Sequence, residues 1–133
     1  MIVVDTNIIA YLWIPGIHTL QAERLLQEES EWVVPFLWKS EFQNVLSNYL
    51  RHKLMTLETA LQMINEAEIF FKNKEYFVAS DRVLALAHQS KCSAYDCEFV
   101  ALAEELGIAL VTGDQQILKA FPKTARNLKE FRP

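Results

Sequence analysis

Ser93-Ala-Tyr-Asp-Cys-Glu-Phe-Val-Ala-Leu-Ala-Glu-Glu-Leu-Gly107-Ile-Ala-Leu-Val-Thr-Gly-Asp114 contains a helix signal, a stop and a strand signal in immediate succession. Phe99, Ala103 and Leu106 recur at helical spacing. Ser93 can cap the first turn, and Gly107 can take the left-handed backbone that ends a helix. The uninterrupted apolar run Ile108–Val111 then reads as a short buried strand, closed by Thr-Gly-Asp. A continuous apolar strand suits a sheet covered on both faces. This stretch therefore predicts a parallel sheet with helical connections.

The same pattern extends in both directions. Ile2–Val4 is a second buried strand, followed by a short helix carrying Ile8, Ile9 and Leu12 that Pro15-Gly16 breaks. A helix is predicted over His18–Glu28, with Leu20, Leu25 and Leu26 apolar, and a strand over Trp32–Val34. Longer helices follow over Leu37–His52 and Leu57–Asn73. Thr56 caps the latter, and Leu57, Ala60, Leu61, Ile64, Ala67 and Phe71 form its apolar set. A weak strand over Tyr76–Val78 precedes a helix capped by Ser80. Beyond Asp114 come a short helix over Gln115–Phe121 and a last strand within Ala125–Leu128. Strands alternating with helices give an α/β fold, expected as one domain over residues 1–133.

With 133 residues, 51% hydrophobic and 23% charged, the chain can bury a core and is not disordered. The run Thr6–Ala22 is too short and too interrupted to span a bilayer, and the start lacks the basic region of a signal peptide. A cytoplasmic location is the expectation. Cys92 and Cys97 are too few for a disulfide framework. With His88 they lack a suitably spaced fourth zinc ligand, so reduced buried thiols are expected. The net charge of −4 argues against bulk electrostatic binding of nucleic acid. The charge is uneven, however: residues 115–133 carry a local +4, leaving −8 on the rest. Lys119, Lys123 and Arg126 in that segment are candidate phosphate contacts, or else part of a solvated face.

Four acids interrupt the apolar stretches: Asp5, Glu41, Asp96 and Asp114. Asp5 and Asp114 follow strands, where ligands of parallel sheets gather and where Asp also serves as a helix cap. Asp96 falls within the stripe of Phe99, Ala103 and Leu106, although it also stands at capping-box spacing from Ser93. Glu41 borders the stripe of Trp38, Phe42, Val45 and Tyr49, where a solvated flank is the ordinary reading. The weight lies in the conjunction. Two carboxylates about 4 Å apart repel by roughly 4 kcal/mol at an effective dielectric near 20, so a cluster of four calls for a hard divalent cation.

Val-Val-Asp-Thr-Asn (residues 3–7), Leu-Trp-Lys-Ser-Glu-Phe-Gln-Asn-Val-Leu (37–46) and the Tyr95–Asp114 stretch resemble, in order and spacing, the PIN domains. More narrowly they resemble the VapC-type toxins of toxin–antitoxin pairs. The resemblance covers Met1 to about Leu128. It implies a three-layer α/β/α sandwich and a Mg²⁺- or Mn²⁺-dependent ribonuclease whose four acidic positions fall on Asp5, Glu41, Asp96 and Asp114. It further matches Asn7, Asn44 and Thr112 to polar positions that orient the acids. A small cognate antitoxin and a homodimer are the partners it implies.

The chemistry expected is metal-assisted hydrolysis of single-stranded or looped RNA, with no protein nucleophile. His18, His52 and His88 are scattered and have no paired carboxylate in sequence. Tyr11, Trp13 and Trp38 could stack on bases, but their spacing beside leucines favours core or dimer contacts. Of the apolar side chains of the middle helices, including Trp38, Phe42, Leu46, Tyr49, Leu50, Phe70 and Phe71, some are expected to form a dimer interface or an antitoxin groove, the alternative being that all are interior. Asn7 stands where a haloacid-dehalogenase-like phosphatase needs a second Asp, and three glycines cannot build a P-loop. The alternative from another class is a PIN-like module that binds RNA or protein without cutting. Cleavage abolished by EDTA separates the two.

Overall fold

The computed structural model describes residues 1–131; Arg132, part of the basic segment above, and Pro133 lie outside them. In chain order the elements are β1 (Ile2–Val4), α1 (Thr6–Trp13), α2 (Thr19–Glu28), β2 (Trp32–Pro35), α3 (Leu37–Arg51) and α4 (Leu57–Phe70). They continue with β3 (Glu75–Tyr76), α5 (Ser80–Gln89), α6 (Ala94–Leu106), β4 (Leu110–Thr112), α7 (Gln115–Ala120) and β5 (Ala125–Asn127). The strands form one parallel sheet in the order β3-β2-β1-β4-β5.

The central position of β1 explains its sequence. It pairs with β2 through Ile2–Trp32 and Val3–Val33, and with β4 through Val3–Leu110 and Val4–Val111, so all three of its side chains are buried. From β1 the chain runs outward through β2 and β3, then returns to the other side of β1 with β4 and β5. The order therefore reverses between β1 and β4. A crevice opens beyond the carboxyl ends of strands at such a point, and this is where parallel sheets bind ligands.

The helices pack in two groups, α1 with α2 and α3 with α1 and α4, and separately α5 with α6. Helix α6 lies on β1, β2 and β4, and five consecutive residues from Phe99 to Ala103 are buried. Its sequence accordingly lacks a strong polar face, as expected of a helix covered nearly all round. The predicted α/β/α arrangement is borne out. Among the described residues no helix is long and apolar enough to cross a membrane.

Several expectations are corrected. Trp38, Phe42 and Phe71 are fully buried, and Trp13, Trp38, Phe42, Phe70 and Phe71 form one aromatic cluster within the protein's own core. The apolar surplus expected at an interface is thus largely absorbed by ring-on-ring packing among α1, α3 and α4. Leu20, Leu57 and Leu61, counted in the apolar sets of their helices, are exposed, because Ala22 and Leu25 on α2 and Ala60 and Ala67 on α4 take the inner positions. Ser80 is the first residue of α5 rather than its cap, and no side chain caps that helix. Strand β3 starts at Glu75 rather than Tyr76 and ends at Tyr76 rather than Val78, with Val34–Glu75 and Pro35–Tyr76 as its pairs. Phe77 lies beyond it, exposed, with its ring 4.4 Å from that of Phe36.

Candidate active site

Asp5 stands between β1 and α1 as the N-cap of the helix. Its Oδ1 accepts the Ile8 amide at 3.1 Å, capping the helix, while its Oδ2 accepts a hydrogen bond from the Thr112 hydroxyl on β4. The Thr112 oxygen in turn accepts the Asp114 amide at 3.0 Å. With a donor already pointed at that oxygen, the single hydroxyl proton is directed at Asp5. Asp114 repeats the cap at α7, its Oδ1 accepting the Ile117 amide at 3.0 Å. Both acids that follow strands are therefore caps and also face the crevice. A carboxylate has about four lone-pair sites, so the cap bond on Asp114, and the cap and Thr112 bonds on Asp5, leave others available.

The remaining two acids come from helices. Thr6, the first residue of α1, is buried and donates its hydroxyl to Glu41 Oε1 on α3 at 2.6 Å. On α6, Ser93 Oγ accepts the Asp96 amide at 3.1 Å, fixing the first turn. Cys92 and Cys97 are free and buried on either side of that cap. Their positions just before the cap and one turn inside the helix are those of a hydrophobic staple, which sets the angle of chain entry. This gives the two thiols a packing role beside Asp96.

Asp5, Glu41, Asp96 and Asp114 all line one cleft of about 430 Å³, with Leu37, Phe99 and Ile117 among its apolar walls. Asn7 and Asn44 line it too, both exposed, and Thr112 reaches it through Asp5. Thr6 was missed by sequence reasoning, as were Ser40 and the exposed Tyr95 at the cleft. A polar, β-branched residue wedged between Asp5 and Asn7 at a helix start was the available signal for Thr6. No lysine, arginine or histidine among the described residues lines the cleft.

The electrostatics follow from that lining. Burial pushes the Asp5 carboxyl from 3.8 to about 6; the bonds from Thr112 and Ile8 pull it back in part, and the charges of Asp114 and Asp96 add to the rise. Burial also raises Asp96, with Asp114 the next cause. Burial raises Glu41 as well, opposed by the Thr6 bond and assisted by Asp96. Glu98, beside them on α6, is raised by burial and then by Glu41. The acids thus act on one another as a single set. Among the described residues, no three His, Cys, Asp or Glu side chains are already disposed as a metal cage.

A PIN-domain family model matches residues 2–125. The chain belongs to the PIN-domain family. The VapC-type resemblance is borne out as well: Ribonuclease VapC3 of Pyrobaculum aerophilum is 34% identical over 124 residues, 91% of this chain and 95% of that relative. The crystal structure of PAE2754 from the same organism superposes with a TM-score of 0.77 at 21% identity, covering 96% of this chain and 83% of that one. A toxin–antitoxin complex from Klebsiella pneumoniae gives 0.69 at 15% identity, covering 98% and 100%.

In this PIN domain the basic candidates stand apart from the acids. Lys119 and Lys123 are exposed, and Arg126 donates to the Pro122 and Ala125 carbonyls; none lines the acidic cleft. Lys123 precedes β5, on the amino-terminal side of the sheet, whereas Asp5 and Asp114 follow their strands. The cleft itself offers several carboxylate oxygens and, among the described residues, no competing side-chain cation. That donor set suits a hard divalent ion.

Proposed function

We propose that this protein is a metal-dependent endoribonuclease hydrolysing RNA phosphodiesters, the toxin of a type II toxin–antitoxin pair. The carrying observation is the convergence of Asp5, Glu41, Asp96 and Asp114 on one cleft that no basic side chain among the described residues lines. Likeness to Ribonuclease VapC3 and to a toxin–antitoxin complex supports the reading. Asp5, Asp96 and Asp114, with Glu41 completing the set, are the residues that would hold Mg²⁺ or Mn²⁺. When bound, the ion supplies positive charge against the phosphate and makes water more acidic.

The chain's own part is positioning and proton handling. The Thr112 hydroxyl and Ile8 amide fix Asp5, and the Ile117 amide fixes Asp114. Thr6 occupies Glu41 Oε1, leaving Oε2 to receive a proton from the attacking water. Burial raises the proton affinity of Glu41, the direction that favours a proton acceptor. Water attacks phosphorus, the bond to the 3′ oxygen breaks, and no protein nucleophile takes part. Asn7 and Asn44 orient groups at the mouth of the cleft.

Single-stranded or looped RNA fits an open edge site of this kind. An enzyme of this class acts where its RNA is, and the cytoplasm is the proposed location. Leu54, Leu57 and Leu61 leave an exposed apolar stripe on and just before α4, a surface for the proposed antitoxin or a second copy. The deciding test is cleavage of RNA by the purified protein with Mg²⁺ or Mn²⁺. EDTA and Asp96→Asn should each abolish it. Cleavage surviving both would sink the proposal, and RNA binding without cleavage would favour the non-catalytic module.

A further inference from the structure

A second depression, of about 300 Å³, adjoins the acidic cleft and shares Asn7 and Val45 with it. Its character differs. Tyr11, His18 and Tyr49 bring three half-buried rings to its lining, and no carboxylate, lysine or arginine among the described residues joins them. Tyr11 and His18 stand with ring centroids 4.5 Å apart, tilted by 39°. The turn carrying His18 is tied down, since the Gly16 amide donates to Thr19 Oγ1 at 2.9 Å and that hydroxyl donates to the Ile14 carbonyl. Trp13 and Trp38, the other aromatics near the motifs, are committed to the core cluster.

A phosphodiester lying at the carboxylates has a nucleoside on each side, and those bases need somewhere to go. A base is flat, uncharged and edged with hydrogen-bonding groups, so aromatic faces beside an amide suit it better than more acid does. Burial raises the Tyr11 phenol, and the charge of Asp5 is the next cause, so this ring lies within electrostatic reach of the acidic cleft. We infer that the depression is a nucleobase subsite, where the Tyr11 ring, backed by His18, stacks on the base next to the phosphate held at the acidic cleft. The inference rests on the ribonuclease reading, but binding can be measured apart from cleavage.

The first experiment follows the Tyr11 and His18 ring signals by NMR in EDTA, titrating the four nucleoside 5′-monophosphates against ribose 5-phosphate, which has no base. Shifts with at least one nucleotide, and none with the sugar phosphate, support the subsite. Equal response to both, or no response to any nucleotide, overturns it and leaves the depression to a protein partner. The second experiment uses Tyr11→Leu and His18→Leu on single-stranded RNA. Removing one stacking face should raise KM by roughly 5- to 100-fold, with a much smaller change in kcat, and Tyr11→Phe should recover most of the affinity. A fall confined to kcat would overturn the subsite. If no preparation cuts RNA, the ribonuclease reading fails, and the nucleotide titration alone decides the subsite.

Discussion

Replacing Asp5 with Asn removes charge from the most deeply buried carboxyl of the cleft while preserving its size and its cap on α1. Burial raises this group from 3.8 to about 6, so between those values the folded protein binds more protons than the unfolded chain. Stability conferred by the neutral form is therefore full below about pH 4 and is lost as pH rises toward 6. At about 1.4 kcal/mol per unit, the buried charge costs about 3 kcal/mol at neutral pH without metal. Asn carries no such charge, but with its carbonyl oxygen kept on the Ile8 amide its NH2 group faces Thr112 and cannot accept the hydroxyl proton, which offsets about 1 kcal/mol. The metal-free variant should then be more stable than the parent by about 2 kcal/mol near pH 7.5, and no more stable near pH 4. Urea denaturation in EDTA, followed by tryptophan fluorescence at both pH values, measures this. With Mg²⁺ or Mn²⁺ at about a hundredfold its Kd, the parent should gain about 2.7 kcal/mol that the variant lacks. A variant less stable than the parent near pH 7.5 in EDTA, or a difference that ignores pH, would refute the reasoning.

Thr6→Val keeps the shape of a buried residue and deletes the donor to Glu41; metal affinity or cleavage should fall roughly 10- to 100-fold. Mn²⁺ titration of the folded variant checks this, and parental affinity and rate would reduce Thr6 to packing. Because Asp5, Glu41 and Asp96 all bind protons more tightly than usual, protons compete with the ion, and Mn²⁺ affinity should drop as pH falls through about 6. Calorimetry showing the same affinity near pH 5.5 and near pH 7.5 would contradict that competition. Replacing Lys119, Lys123 and Arg126 together by Ala should lower the logarithmic salt slope of RNA binding by about 0.7 per lost phosphate contact and spare cleavage at saturating RNA. An unchanged slope would return those residues to a solvated face.

What could be read from the chain depended on whether a residue's role was local. Gly107 is such a case: it adopts φ +67°, and α6 ends there as expected. The next boundary was misplaced for a tertiary reason. The Ile108 amide donates to the Ala103 carbonyl at 3.0 Å, closing the helix, so it cannot join the ladder. Strand β4 consequently begins at Leu110 and extends to Thr112, which pairs with Asn127. That extension puts Thr112 inside the sheet, facing Asp5. The four acids were legible because each interrupts an apolar context. Thr6 was not, since its partner lies 35 residues away on another helix and the one local signal, a polar β-branched residue at a helix start, fits an ordinary first-turn threonine equally well. Tyr11 was legible only as an aromatic near a motif; its separation from Trp13 emerges when Trp13 enters the core and Tyr11 pairs with His18.

The origins of the acids suggest how an ion would change the molecule. Asp5 and Asp114 are pinned by caps at the ends of adjacent strands, whereas Glu41 and Asp96 come from helices in different packed groups. The cleft thus lies where α3 and α6 meet the sheet edge, with mutual repulsion acting to spread it. An ion shared by all four would replace that repulsion with attraction across the boundary between the groups. Its stabilising effect should therefore appear at the amino-terminal turns of α3 and α6, and α2, which contributes no acid, should change least. Amide hydrogen exchange with and without Mn²⁺ can resolve that pattern. Equal protection in α2, α3 and α6 would mean that the ion stabilises the fold uniformly, and the picture of two groups tied together at the acids would fail.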